Sequence, residues 1–309
     1  MILIYINSFK EHLNFLVEDC SSKKFLLAVS GGVDSMALAY LFIQNNISFE
    51  MAHVNYHFRE EDSNLDQKLV EDFCKNHNIK IHIKDISEEE KSEMKSLQNW
   101  ARDLRYQFFF ELLEKENLDF IVTAHHLNDE LETFFINLSR GSGIKGLSGI
   151  PKNENKIIRP LLDFSKQEIY DFAKEHHIEF REDQSNLKSD YLRNRIRNNL
   201  APNILEIFPN FLTSFQESLS HLNKVNQFYQ NQIDTSFEDV FISGDDQEFI
   251  LDKEKLLQKD KVLAIEIIRK LGFSGIEIEK VLHAENGKFF RSNSFEVHIK
   301  RKELLCVKK

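Results

Sequence analysis

The stretch Phe25-Leu26-Leu27-Ala28-Val29-Ser30-Gly31-Gly32-Val33-Asp34-Ser35 decides how the chain is read. A short apolar run of strand length ends in Ser-Gly-Gly-Val-Asp-Ser. An apolar helical pattern then follows at Met36, Leu38, Ala39, Leu41 and Phe42. The order is strand, tight glycine turn, helix start. Such a turn aims backbone N–H groups and small hydroxyls from the positive end of a helix dipole, which suits a bound phosphate. An ordinary turn capped by Asp34 or Ser35 is the bland alternative. No Gly-Lys-Ser/Thr follows, so the turn is not the lysine-bearing P-loop of kinases and GTPases. Ser30, Gly31, Gly32, Val33, Asp34 and Ser35 are the candidate nucleotide-binding residues. A carboxylate beside a polyphosphate repels it unless a cation intervenes, so Asp34 points to a Mg²⁺ bridge.

Outward from this turn, strand and helix patterns alternate. Strands are expected at 25–29, 49–54, 79–84 and 119–124, and helices at 8–19, 34–44, 63–77, 97–117 and 128–139. This βαβα order predicts an α/β fold with a parallel sheet covered on both faces. Ligands of such sheets sit at the carboxyl ends of the strands. Ser30–Ser35, His53–Arg59 and His125–Asp129 each follow a strand directly, so they are expected to meet at one rim. A mobile glycine-rich loop, Arg140 to Gly149, is expected beside it. Helices are also expected at 165–177 and 189–206.

Near residue 210 the pattern changes. An apolar stripe at helical spacing runs through Phe211, Phe215, Leu219, Leu222, Val225, Tyr229 and Ile233. Short β-like runs follow at 240–242 and 249–251, then helices at 252–271 and 276–284, then strands to the end. Two domains are expected, a nucleotide-binding domain over 1–210 and a smaller α+β domain over 211–309.

Composition narrows the class. The 309 residues are 41% hydrophobic and 29% charged, with 4 prolines and 10 glycines, which describes a globular chain without long linkers. The apolar start is too short for a signal h-region and no stretch is long enough to span a membrane, so a cytoplasmic protein with no membrane partner is expected. Cys20, Cys74 and Cys306 lie far apart with no Cys-x-x-Cys, which speaks against a disulfide scaffold or a local zinc or iron–sulfur motif. The net charge of −10 discourages a nucleic-acid partner until its distribution is read. Arg193, Arg195 and Arg197 cluster after Lys188, and Lys300, Arg301 and Lys302 lie in a basic tail. Each cluster is either an RNA contact or a solvated face.

Two further constellations carry chemistry. In Ala124-His125-His126-Leu127-Asn128-Asp129-Glu130-Leu131-Glu132-Thr133, a helix starting near Asn128 puts Asp129 and Glu132 on one face, pointing back toward the strand end. His125 and Asp129 are candidate functional residues, because they sit at the expected ligand-binding rim. Zinc fits the residue types, but no third ligand stands at a standard spacing. In Ala101-Arg102-Asp103-Leu104-Arg105-Tyr106, Arg102 and Arg105 share a helix face and suit phosphate contacts, with surface ion pairing as the alternative.

Together these segments resemble the tRNA(Ile)-lysidine synthetases, a branch of the N-type ATP pyrophosphatase (PP-loop) superfamily. The Ser30–Ser35 turn is similar to the pyrophosphate loop of the whole superfamily. The narrower likeness lies in His53 to Arg59, Ala101 to Tyr106, Ala124 to Thr133, Arg140 to Gly143 with Gly146-Leu147, Arg159 to Leu162, Asp183 to Asn186, and Tyr191 to Arg197. Tyr56 and His57 depart from the family's usual His-Gly pair. The resemblance implies an adenine nucleotide α-hydrolase-like fold, with ATP and Mg²⁺ as cofactors. It implies tRNA(Ile) with a CAU anticodon and L-lysine as substrates. ATP would adenylate C2 of cytidine 34, and the lysine ε-amine would displace AMP. It places Asp34, Arg102, His125 and Asp129 in the active site, and gives Arg193, Arg195, Arg197, Lys300, Arg301 and Lys302 to the tRNA. The sequence leaves a homodimer open. The alternatives are another tRNA-modifying enzyme of the superfamily, such as a thiolase, and a non-catalytic tRNA-binding protein. The missing Cys-x-x-Cys weighs against the first and the intact loop with His125 and Asp129 against the second.

Overall fold

The computed structural model describes residues 6–58, 61–87, 90, 97–182 and 192–309. Arg59, Asp183 to Asn186, Lys188 and Tyr191 lie outside these residues. By contacts the chain divides into two units, Met1–Ser220 and His221–Lys309. The division falls within a single long helix, Phe211–Val240.

The first unit is built on a six-stranded sheet of order β3-β2-β1-β4-β6-β5. Its strands are β1 (Phe25–Ala28), β2 (Phe49–Asn55), β3 (Ile81–Asp85), β4 (Phe120–Val122), β5 (Asn153–Glu154) and β6 (Ile157–Ile158). All pairings are parallel except β5 with β6. β1 lies at the centre, with Leu27 opposite Met51 on one side and Val122 on the other.

Side-chain alternation along these strands produces two cores. Phe25, Leu27, Met51, Val122 and Ile158 pack with Phe9, Leu13, Met36, Phe42 and Phe172 on one face. Leu26, Ala52, Ile121 and Ile157 pack on the other face with Phe109, Leu112 and Leu113 of helix Leu97–Lys115. The sheet is therefore covered on both sides, as the uninterrupted apolar runs require. A smaller cluster joins Leu127 and Leu131 to Ala201, Phe215 and Leu219.

Several expectations need correction. The segment expected as one helix over 189–206 is helical at Leu192–Arg195, widens to a π-helix over Ile196–Leu200, and resumes at Ala201–Ile207. The glycine-rich segment expected as a mobile loop contains a helical turn, Ile144–Leu147, whose Gly146 carbonyl accepts from Asn137 Nδ2 at 2.7 Å. The helix expected over 252–271 is two helices, Lys253–Gln258 and Lys261–Lys270. Lys259 is extended there, and Asp260 caps the second helix by accepting from the Val262 N–H at 2.8 Å.

The second unit carries an antiparallel sheet of order β7-β8-β11-β10-β9. Its strands are β7 (Phe241–Gly244), β8 (Glu248–Asp252), β9 (Phe289–Arg291), β10 (Phe295–Ile299) and β11 (Glu303–Lys308). One face, with Leu251, Val297, Ile299, Leu304 and Cys306, packs on Leu256, Ile267, Ile268, Val281 and Leu282. Among the described residues no helix is long and apolar enough to cross a membrane.

Candidate active site

β1 hands the chain to the glycine turn while the Val29 N–H still donates to Ala52 O at 2.9 Å. Gly31 takes φ +90°, and a Cβ there would stand 3.3 Å from the Asp66 carbonyl oxygen, so glycine is needed on both counts. Inside the turn Ser35 Oγ donates to Gly32 O at 3.0 Å and accepts from the Ser30 N–H at 3.2 Å. The Gly32 N–H donates to Ser30 Oγ at 3.3 Å. Helix Val33–Gln44 starts on Gly32, not on the Asp34 or Ser35 cap of the bland reading, and receives no side-chain capping bond. First-turn N–H groups have no intrahelical acceptor, so an uncapped start beside a glycine turn favours an anion.

Asp34 leaves the first turn of this helix. Both its oxygens accept from Lys166 Nζ at 2.7 Å. Lys166 opens helix Lys166–Glu175, and its backbone N–H donates to Asn128 Oδ1 at 2.9 Å. His126 stands between two carboxylates. Its Nε2 is 3.8 Å from Asp34 Oδ2 and its Nδ1 is 3.5 Å from Asp129 Oδ2. The ring is buried, and Nδ1 has no hydrogen-bond partner.

Asp129 lies in the first turn of helix Leu127–Ser139, where its carboxylate accepts from the His126 N–H at 3.0 Å. Burial opposes its charge. His126, His125, Arg193 and the His126 N–H outweigh burial and hold the carboxyl below the usual range. Glu132, one turn on, is 1% exposed. It accepts from Arg193 Nε at 2.7 Å and from Arg197 Nε at 2.5 Å. The same guanidiniums reach Asp129 Oδ1, at 3.5 Å from Arg193 and 3.2 Å from Arg197. Burial works against the Arg197 cation, but Glu132 and Asp129 raise its pKa above the ordinary value. Arg195 turns elsewhere. With Leu192, Ile196, Asn199, Leu200 and Asn203 it lines an open cavity of about 350 Å³.

His125 sits at the same strand end with Nδ1 2.8 Å from Thr123 Oγ1. Burial pushes its pKa down to about 4, Arg159, Arg193 and Arg102 push the same way, and Asp129 opposes them. The ring is therefore neutral at pH 7. Arg102 is exposed, with its guanidinium 4.8 Å from the Tyr106 ring centre. His53 is buried, and its Nδ1 meets Val29 O at 2.9 Å, so it ties β2 to the base of the glycine turn. Its lowered pKa comes from burial. Tyr56 stacks on Phe58 with centroids 5.2 Å apart and donates to Ala101 O at 2.7 Å.

The next segment is fastened to this site by Glu130. It is 5% exposed, and its Oε2 accepts from the Ile150 N–H at 2.7 Å. Gly149 has φ +85° there, and a Cβ would strike the Glu130 carboxylate. Burial raises the Glu130 pKa to about 7, with the Ile150 N–H and Lys152 opposing.

The structure thus brings the three strand ends together. The candidates Asp34 and Asp129 meet through His126, and His125 stands beside Asp129 within the field of Arg102. Sequence reasoning did not single out Lys166, His126, Arg159 or Glu130. His126 had a signal, since it adjoins His125. Arg159 had one too, in the Arg159 to Leu162 segment, whereas Lys166 had none, because its role depends on packing from a distant segment.

A glycine turn with a helix-borne carboxylate, set at the switch between β1 and β4, defines a nucleotide-binding protein of the PP-loop class. Residues 6–204 match the family model described as a PP-loop domain, and residues 244–309 match the one described as a TilS substrate binding domain. The chain is 36% identical over 304 residues to the tRNA(Ile)-lysidine synthase of Bacteroides thetaiotaomicron, covering 96% of this chain and 69% of that protein. It is 32% identical over 280 residues to the enzyme of the same name from Clostridium tetani, covering 85% and 60%. For Persephonella marina the figures are 35% over 253 residues, covering 80% and 54%. The chain belongs to the tRNA(Ile)-lysidine synthase family, and it spans between about half and two-thirds of the length of these relatives. Among solved structures, a U34-tRNA thiolase from Methanococcus maripaludis superposes with a TM-score of 0.58 at 19% identity, covering 70% of this chain and 79% of that one. That likeness concerns the fold.

Proposed function

We propose that this chain uses ATP to join L-lysine to C2 of cytidine 34 in the CAU anticodon of tRNA(Ile). The observation that carries the reading is the continuous line from the glycine turn through Asp34 and His126 to Asp129. It supports a pyrophosphate site beside an acidic acceptor site. In the first step the cytidine C2 oxygen bonds to the α-phosphorus, and the bond to the β-phosphate breaks. Pyrophosphate leaves into the Ser30–Ser35 turn. In the second step the lysine ε-nitrogen bonds to C2, the C2–O bond breaks and AMP leaves.

Asp34 offers a hard oxygen donor of the kind Mg²⁺ takes, and the ion would neutralise phosphate charge there. Among the described residues no group of three His, Cys, Asp or Glu side chains holds a metal alone. Phosphate oxygens and water would be natural further ligands for an ion held by Asp34. Lys166 supplies the countercharge to Asp34 in the free protein.

Asp129, held ionised, attracts the lysine ammonium. His125, with a pKa of about 4, is too weak a base to carry the amine proton. Its neutral ring orients the acceptor. His126, flanked by two carboxylates with Nδ1 unengaged, is the group placed to take the proton. Arg102, whose charge is felt at His125, suits the α-phosphate.

The test is direct. Protein, Mg-ATP, labelled lysine and a CAU-anticodon tRNA(Ile) transcript are mixed, and lysine incorporation is followed with AMP release. No transfer by folded protein refutes the reading, and transfer of sulfur would favour a thiolase.

A further inference from the structure

Phe289 and His298 are directly opposed across the β9–β10 pair, and Arg291 faces Glu296 two residues along. All four lie on the face opposite the buried Val297 and Ile299. Phe289 and His298 stack with centroids 5.8 Å apart at 27°. The Arg291 guanidinium sits 5.2 Å from the Phe289 ring centre. Glu296 pairs with Arg291 and also meets His298 Nε2 at 2.8 Å, so it holds the guanidinium and the imidazole beside the ring. His298 and the Arg291 guanidinium thus both lie against the Phe289 ring, which remains 54% exposed. A lone exposed Phe needs no explanation. An aromatic, an imidazole and a guanidinium in register on an open sheet face do. This is the arrangement on which unpaired bases stack.

The surrounding charge suits the same ligand. The β10–β11 turn closes with the Lys300 N–H donating to Glu303 O at 2.8 Å, and Lys300 and Arg301 are exposed on it. Lys302 is already paired with Glu254 at 3.2 Å. We propose that Phe289, Arg291 and His298 form a stacking platform for an unpaired nucleobase of the RNA substrate, with Lys300 and Arg301 meeting its phosphates. The proposal rests on the tRNA reading above and adds to it a site for one base.

Stacking releases no counterions, whereas phosphate contacts do. The two kinds of contact therefore separate in a salt titration. The full chain and its variants are titrated with the CAU tRNA transcript at several salt concentrations. Phe289→Ala should weaken binding by about 5- to 100-fold with an unchanged slope of log Kd against log salt. Phe289→Trp should restore it. Lys300→Gln should lower the slope. Circular dichroism and urea unfolding of Phe289→Ala should match wild type, because the ring is not in the core. Wild-type lysine transfer with undiminished binding by Phe289→Ala would overturn the platform and leave the functional reading intact. If wild type neither binds nor modifies the transcript, the functional reading falls. A single-stranded RNA carrying 2-aminopurine then decides the platform alone. Fluorescence quenching by wild type but not by Phe289→Ala supports it, and equal quenching overturns it.

Discussion

Glu130→Gln should make the protein more stable at alkaline pH than at acid pH, relative to wild type. Burial raises the Glu130 carboxyl from 4.5 to about 7. The folded state therefore holds a proton between these values that the unfolded chain has lost. Stability from this group is fully present below pH 4.5 and is lost as pH rises through 7. With these two values, the linkage relation gives a loss of about 2.5 kcal/mol between pH 5 and pH 8. Glutamine keeps an oxygen to accept from the Ile150 N–H and carries no charge. Its own packing cost is the same at both pH values and cancels in the comparison. The reporter is Trp100, the only tryptophan in the chain, which lies in the same unit as Glu130. Urea unfolding of both proteins, followed by tryptophan emission at pH 5 and pH 8, yields four free energies. The difference between variant and wild type should shift by about 2.5 kcal/mol in favour of the variant at pH 8. A difference independent of pH would show that Glu130 ionises normally in the folded protein and would refute the reasoning.

Asp34→Asn should abolish lysine transfer while the circular dichroism spectrum stays unchanged, and near wild-type turnover would remove the Mg²⁺ role. Glu132→Gln strips the anion shared by Arg193 and Arg197. Because both arginines are about a third exposed, the loss in a urea titration should be about 2–3 kcal/mol rather than the full value for a wholly buried pair. Neutralising Lys300, Arg301 and Lys302 together should weaken tRNA binding and flatten its salt dependence, with an unchanged slope removing this turn from the interface.

Much of the site was legible because it depends on strand order. Residues that follow parallel strands meet at one rim whatever the details, so Ser30–Ser35 and His125–Asp129 could be brought together from pattern alone. The charge partners were less legible. Arg193 and Arg197 read as a basic cluster open to RNA, since nothing local pairs them, yet Glu132 and Asp129 from a distant segment hold both. Lys166 reads as an ordinary first-turn residue, and only packing against helix Val33–Gln44 shows it on Asp34. β5 and β6 escaped because two residues carry no periodicity. The break at Lys259-Asp260 was missed because apolar spacing continues across it, while the Asp260 cap acts through a single side-chain bond.

The central place of β1 also bears on how the protein is made. Leu26 pairs with Ile121, so the strand that carries the glycine turn keeps one bare edge until β4 has been synthesised. That edge is Phe-Leu-Leu-Ala, with no charge or proline to guard it. Closing so long a loop is slow. A nascent or truncated chain ending at Leu118 should therefore be insoluble where the full chain is not, which a simple pelleting assay would show. The glycine turn thus lies early in the chain, but the sheet that supports it closes only after β4 has emerged.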